Sequence, residues 1–152
     1  MRRATLVLAA LCAATTAFAD EHRVITDSAE SARPAALRIL KHLAAGELEA
    51  AAALSNAPQR RLEVLRGFRD AVGEDRFKQL FARYFAPENR IVLEAAIGPH
   101  RLLVWDLGEA AHQLVGQYFV EVGGAFLMDD VPSAERRRLQ RVLEAQRLRS
   151  SR

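Results

Sequence analysis

Few residues of this 152-residue chain could do chemistry together, and most of them lie in its C-terminal third. Asp129 and Asp130 are adjacent carboxylates in the stretch "FLMDDVPS", and two such groups could share a proton or hold a metal ion. Tyr118 precedes them in the stretch "GQYFVEV". A carboxylate beside a phenol hydroxyl is suited to general acid/base work at an enolate-like oxygen. Asp129 and Tyr118 are therefore the candidate catalytic residues.

Other reactive centres are poorly represented in the sequence. No Gly-rich phosphate loop or Gly-x-Ser-x-Gly setting occurs, and the single cysteine is Cys12. Zinc sites use closely spaced histidines and cysteines, and no pair of histidines here has such a spacing. We expect no metal and no cofactor. The histidines are His22, His42, His100 and His112.

After Asn89 the apolar residues alternate, which predicts four antiparallel strands. The stretches "RIVLEAAI", "RLLVWDL", "HQLVGQYFVEV" and "AFLMDDV" are joined by the short loops "GPH", "GEAA" and "GG". Because side chains alternate between the faces of a sheet, each loop length fixes the residues that face one another. These loops would pair Ile97 with Arg101, Leu107 with His112, and Val122 with Ala125.

This register separates the two aspartates. It places Arg101, Tyr118 and Asp129 in one row on the inner face, with Trp105 nearby, and these four are the candidate ligand-binding residues. Arg101 would hold Asp129 in its ionised form. Three interpretations of the row stay open: a structural ion pair, a ligand anchor and a catalytic site. Asp130 points outward and is solvated, or bonded to Gln117 or to the free N–H groups of the last helix.

The same register gives the sheet one apolar face and one mainly polar face. Three apolar residues, Phe119, Phe126 and Met128, fall on the outer face, which is unusual for a monomer. We therefore expect a dimer mate, a partner or the terminal helix to cover that face. The three residues are the predicted interface of a homodimer.

The part of the chain before the strands has helical spacing. Pro34 suits a first helical turn, and the apolar positions that follow end at Gly46. Three more helical segments are predicted before Pro87, and the last carries an aromatic stripe that could line a ligand cavity but that we interpret as core. The stripe consists of Phe77, Leu80, Phe81, Tyr84 and Phe85.

The two ends of the chain differ from this central part. Residues 1–19 have the basic start, apolar run and "AFA" ending of a signal peptide, which predicts cleavage after Ala19 and a periplasmic or secreted protein. Residues 20–33 are a polar leader, 34–132 the folded domain, and 133–152 a basic helix that begins at Ser133 and holds seven Arg and two Glu. We interpret its arginines as a solvated face rather than a membrane contact, and expect no binding of nucleic acid.

Helices followed by an antiparallel meander predict an α+β fold. On "ALRILKHLAAGELEAAAAL" and "YFVEVGGAFLMDDVPS", the chain resembles the nuclear transport factor two-like, or cystatin-like cone, superfamily, in its small exported members of unknown function. The resemblance implies N-terminal helices packed on a curved four-stranded sheet around a cone-shaped cavity, with frequent dimerisation through the outer sheet face. The Arg-rich terminal helix departs from that pattern.

Two functions follow from this reading. The first is an exported, non-catalytic binding or accessory protein that engages a small hydrophobic ligand or a protein partner through its cavity or outer sheet face. The alternative is a small isomerase, dehydratase or cyclase in which Asp129 and Tyr118 form the acid/base pair.

Overall fold

A computed structural model of the protein describes residues 22–108 and 114–152. The predicted signal peptide lies outside these residues, as do His112 and the expected loop residues 109–111. The described chain is α+β, with five helices and one antiparallel sheet whose strands follow one another in sequence order. The strands are β1 (Arg23–Val24), β2 (Arg90–Ile97), β3 (His100–Asp106), β4 (Leu114–Val122) and β5 (Ala125–Met128). The helices are α1 (Arg33–Ala45), α2 (Leu48–Ala52), α3 (Pro58–Val72), α4 (Glu74–Ala82) and α5 (Ala134–Ser150).

The helix boundaries follow the local chemistry that the sequence shows. Pro34 lies in the first turn of α1, where its missing N–H has no bond to make, and Gly46 ends that helix with a φ of 77°. Ser133 caps α5, because its side chain accepts a hydrogen bond from the Arg136 N–H, and Glu135 lies in the first turn. The predicted start of the terminal helix is confirmed.

The prediction of four strands missed β1, which lies in the supposed polar leader. Arg23 and Val24 pair with Ala96 and Ala95 of β2. The leader is held further by Glu94, a buried carboxylate of β2 that accepts hydrogen bonds from Ser31 and from the Ala32 N–H at the start of α1. An isolated two-residue strand has no periodicity to detect, which is why the pattern did not reveal it.

Only one of the three predicted hairpins has the predicted register. The Gly123–Gly124 turn pairs Val122 with Ala125, as expected. Ile97 pairs with His100 rather than Arg101, because Gly98 at a φ of 55° permits a turn of two residues instead of three. Strands β3 and β4 pair Arg101 with Phe119 rather than with Tyr118.

A slip of one residue moves every side chain of a strand to the other face of the sheet. Helices α1–α4 cover one face, on which Leu103, Trp105 and Phe119 are buried. Helix α5 covers the opposite face and packs Leu139, Val142 and Leu143 against it. The expected division into one apolar and one polar face is therefore wrong, since the sheet is buried between two helical layers.

Helices α1–α4 cover the three apolar residues that were predicted to form an interface, which explains why these residues are apolar. Phe119 is 1% exposed in the core beneath α1–α4, and Phe126 and Met128 pack against the same core. The prediction that these residues form an exposed outer face is wrong, and they offer little apolar surface for a homodimer contact. Every helix within residues 22–108 and 114–152 is too short or too polar to span a bilayer.

Candidate functional site

The two aspartates follow the last strand and meet the turn between α2 and α3. The Met128 N–H donates to the Leu54 carbonyl over 2.8 Å, and the Asn56 N–H donates to the Met128 carbonyl over 3.0 Å. The sequence separates these segments by more than 70 residues, so no local pattern could have linked them. This backbone pairing brings the side chains of Ser55 and Asn56 to the aspartates.

Asp130 is bound by the helical layer rather than by solvent. Its Oδ2 accepts hydrogen bonds from Ser55 Oγ at 2.5 Å and Arg61 Nε at 2.8 Å, and Arg61 Nη2 donates to Oδ1. Burial alone would raise the pKa of Asp130, but the hydrogen bonds from Arg61 and Ser55 outweigh it and hold that pKa below its ordinary value. The outward, solvated orientation predicted for Asp130 is wrong.

Asp129 is 3% exposed and has two side-chain partners. Its Oδ1 accepts from Asn56 Nδ2 at 3.0 Å, and its Oδ2 accepts from His100 Nδ1 at 2.8 Å. Its N–H donates to the Tyr118 carbonyl, so the predicted pairing of Asp129 with Tyr118 holds. His100 was not predicted here, and it replaces Arg101 because the register of β3 differs by one residue.

Arg101 lies on the opposite face and does not contact Asp129. It is 5% exposed, its Nη1 donates to the Gly98 and His100 carbonyls, and its guanidinium lies 5.2 Å from the centre of the Phe126 ring. The predicted Arg101–Asp129 pair is wrong. Trp105 is also a core residue, whose indole N–H donates to Gln117 Oε1 at 2.8 Å and whose ring meets the Tyr84 ring edge to face.

A cavity of about 290 Å³ lies beside the half of β4 that does not pair with β5, between the α1–α4 layer and the start of α5. Its apolar lining comes from α1, α3 and α4 and from the last two strands, through Ile39, Leu43, Leu65, Phe81, Phe119 and Met128. Phe81 belongs to the aromatic stripe, which is core only in part: Phe77 is buried and Tyr84 packs against the core, whereas Phe85 is 47% exposed. The polar residues of the cavity are Arg61, Gln117, Tyr118, Asp129 and Arg136. Of the predicted catalytic and ligand-binding residues, Tyr118 and Asp129 reach this cavity, and two of the predicted interface residues, Phe119 and Met128, line it as well.

The edge of β4 contributes backbone groups to the cavity wall. Strand β5 pairs only with the far half of β4, from Phe119 to Val122. Along the remaining edge, the Tyr118 carbonyl accepts from the Asp129 N–H, and the Leu114 carbonyl accepts from Arg147 Nε at 3.0 Å. Alternate residues of an antiparallel strand present their N–H and C=O to the same edge, so Gly116 presents both groups between these two bonds.

Gly116 also permits α5 to pack closely on the sheet. A Cβ atom at this position would lie 2.6 Å from Leu143 Cδ2 and 3.1 Å from Leu102 Cδ1. An isolated glycine in a strand can signal such a close approach. The glycine inside the predicted strand "HQLVGQYFVEV" is the signal of this close approach in the sequence.

Arg136 is the cation of the cavity that has no carboxylate partner. Its guanidinium lies 5.3 Å from the centre of the Tyr118 ring, and its buried Nε has no hydrogen-bond acceptor in the described structure. By contrast, Arg61 pairs with Asp130 and His100 with Asp129. The sequence assigned Arg136 only to a basic tail, and its place at the start of α5 was the available signal.

Tyr118 completes the polar rim with a neutral hydroxyl group. Burial raises the pKa of this phenol, and the charges of Arg136 and Arg147 only partly oppose that effect. Among residues 22–108 and 114–152, no three His, Asp or Glu side chains lie close enough together to hold a metal ion. The cavity therefore combines an apolar wall, a phenol hydroxyl and one guanidinium without an ion-pair partner.

Comparison of the chain with models of protein families, with curated proteins and with solved structures finds no match.

Proposed function

We propose that the protein is a non-catalytic binding protein that holds a small, largely apolar ligand in the cavity beside β4. The observation that carries this proposal is the cavity itself, which has six apolar lining residues and several polar ones. Ligand sites commonly combine an apolar lining with a few polar groups that orient the ligand. The two aspartates support a binding role, because each already accepts bonds from neighbouring side chains.

The size of the cavity indicates the size of the ligand. Ligand pockets usually measure about 300–1,000 Å³, so this cavity is at the small end of that range. At roughly 30 Å³ for each water-sized group, it would hold a molecule of about ten non-hydrogen atoms. An eight-carbon chain with a polar head group is of that size.

A variant that fills the cavity tests this proposal. Leu65 is buried in α3 and lines the cavity, whereas the neighbouring Val64 is 54% exposed. In calorimetric titrations with 1-octanol, we expect binding to the unmodified protein and to Val64→Trp, with a negative heat-capacity change from apolar burial. Leu65→Trp should lose this binding while its circular dichroism spectrum stays that of the folded protein.

Native mass spectrometry of the protein isolated from cells gives a second measurement. Co-purified ligand should appear as added mass on the unmodified chain and on Val64→Trp, and should be absent from Leu65→Trp. Equal retention of ligand or 1-octanol by Leu65→Trp and the unmodified protein would place the ligand elsewhere and overturn the proposal.

The alternative is a small isomerase, dehydratase or cyclase that uses Asp129 and Tyr118. One observation favours it, since both side chains line the same cavity. A raised phenol pKa keeps Tyr118 protonated, as a hydrogen-bond donor to an enolate-like oxygen must be. Turnover of a candidate substrate that survives Asp129→Asn unchanged would eliminate this assignment.

We further propose that the protein acts in the periplasm or outside the cell after cleavage following Ala19, and that it is a nuclear transport factor two-like protein with a cone-like, curved sheet. The "AFA" ending and the helix-then-meander order support these two proposals. N-terminal sequencing of the exported protein tests the first. An experimental structure in which the sheet is flat would count against the second.

A further inference from the structure

We propose that the ligand is an amphipathic monoanion whose carboxylate is bound by Arg136 and whose apolar tail lies against α1, α3 and α4. This inference rests on the proposed binding function and names the chemical class of ligand. It follows from the charges around the cavity rather than from its volume.

The two aspartates at the polar side of the cavity have closer partners than Arg136, whose charge acts on Asp130 only from beyond ion-pair distance. Asp130 is engaged by Arg61, whose two donated hydrogen bonds form a fork on the carboxylate. Asp129 is engaged by His100 and Asn56. Both aspartates are thus hydrogen-bonded within the protein, and neither is left to bind a cationic ligand.

The surroundings of Arg136 favour an incoming acceptor. Its guanidinium lies against the Tyr118 ring, and its Nε is buried without an acceptor. A buried donor without an acceptor costs free energy. A hydrogen bond from this guanidinium to a ligand oxygen therefore contributes more to binding than the same bond would contribute in water. The planar guanidinium of arginine matches the two oxygens of a carboxylate.

The same arrangement argues against a peptide as the ligand. A peptide that adds a strand to the sheet needs several consecutive unpaired backbone N–H and C=O groups along β4. The edge is closed on either side of Gly116 by the Asp129 N–H and by Arg147 Nε. Between these two bonds lie only the N–H and C=O groups of Gly116 and the N–H of Tyr118, a short run that suits a small head group.

Three ligands with the same eight-carbon tail distinguish the contribution of the head group to affinity from that of the tail: octanoate, 1-octanol and octylamine. Near neutral pH, octanoate should bind about 10- to 100-fold more tightly than 1-octanol, since a hydrogen bond to a charged group contributes more than one between neutral groups. Octylamine should bind most weakly, because its ammonium would meet Arg136.

The Arg136→Gln variant should weaken octanoate binding by about 10- to 100-fold and leave 1-octanol binding within twofold. Arg137→Gln is the matched control, because it removes the same charge from the next, exposed residue of α5 and should leave both affinities unchanged. Arg136→Lys should recover only part of the octanoate affinity, since lysine keeps the charge without the fork. Circular dichroism melting verifies that each variant is folded.

Each result has a distinct meaning. If 1-octanol binds as tightly as octanoate, or if Arg136→Gln leaves the octanoate affinity within twofold, the monoanion assignment is wrong and the apolar binding function stands. If none of the three ligands binds the folded, unmodified protein, the cavity is not their site and the binding function fails together with this inference.

Discussion

Replacement of Asp130 by Asn tests whether the aspartates tie the sheet to the helical layer. The Asp130 side chain is 10% exposed and accepts three hydrogen bonds, two of them from Arg61, whose side chain is 27% exposed. Removing one partner of a fully buried ion pair costs about 3–5 kcal/mol, and a single hydrogen bond to a charged group contributes about 1.5–3 kcal/mol. The partial exposure of Arg61 places the expected loss of unfolding free energy at about 2–3 kcal/mol.

Urea unfolding followed by far-UV circular dichroism measures this loss. For a chain of this length, about 1 kcal/mol corresponds to roughly 2–4 °C, so the melting temperature of Asp130→Asn should fall by roughly 4–12 °C. The matched control is Glu49→Gln, which breaks the exposed Glu49–Arg66 pair at 2.8 Å and should leave the midpoint nearly unchanged.

A double-mutant cycle isolates the Arg61–Asp130 interaction from other effects of each change. Arg61→Gln and Asp130→Asn should be coupled, with the double variant less destabilised than the sum of the single variants by about 1–2 kcal/mol. If the two losses add within about 0.5 kcal/mol, the ion pair does not stabilise the protein and the reasoning fails.

The pH dependence of the unfolding free energy gives a second, independent test of the role of Asp130. Because the folded-state pKa of Asp130 is lowered, the unfolded chain takes up the proton first as the pH falls. The stability from Asp130 is therefore fully present above its unfolded pKa and is lost as the pH falls through its folded pKa. The gap in unfolding free energy between the unmodified protein and Asp130→Asn should shrink in acid, and a gap that stays constant below the ordinary carboxyl range would refute the assignment.

Three further changes probe the corrected register and packing. Phe119→Asp should prevent folding, judged by circular dichroism, because it puts a carboxylate into the core at a position 1% exposed; a folded variant would mean that this face is open. Gly116→Ala should lower stability by about 1–3 kcal/mol through contact with Leu143, and Leu143→Val should relieve part of that loss in the double variant. Arg101→Met should lower the urea midpoint yet leave octanoate affinity unchanged, since this residue lies outside the cavity; a lost affinity would contradict that placement.

The sequence predicted the last hairpin and missed the register of the other two for a physical reason. Two consecutive glycines leave little choice of turn between Val122 and Ala125. The turn after Ile97 admits two or three residues with similar ease, and choosing three moved Arg101 into the place of His100. One residue of error is enough to exchange the faces of a strand.

The sequence of β3 contains evidence for the second helical layer, formed by α5, but the alternating pattern of the other strands does not show it. Residues 102–105 are four consecutive apolar residues in β3, and all four are 0–3% exposed. An uninterrupted apolar run indicates a strand that is covered on both faces, whereas alternation indicates a strand with one solvated face. The Arg-rich composition of α5 obscured the layer that covers the second face, because only Leu139, Val142 and Leu143 of that helix are buried.

The corrected partner of Asp129 changes what this site can do. If Arg101 lay beside Asp129, as predicted, the cavity would contain a permanently charged pair. Arg136 would then be one of several arginines at the cavity. In the structure, His100 and Asn56 bind Asp129, and Arg61 binds Asp130, so both carboxylates serve the junction between β5 and the α2–α3 turn. A carboxylate held by neighbouring donors is a poor general base until those bonds break. The groups left to meet a ligand are a guanidinium, a phenol and the backbone of Gly116, which are suited to holding an anion rather than to moving a proton.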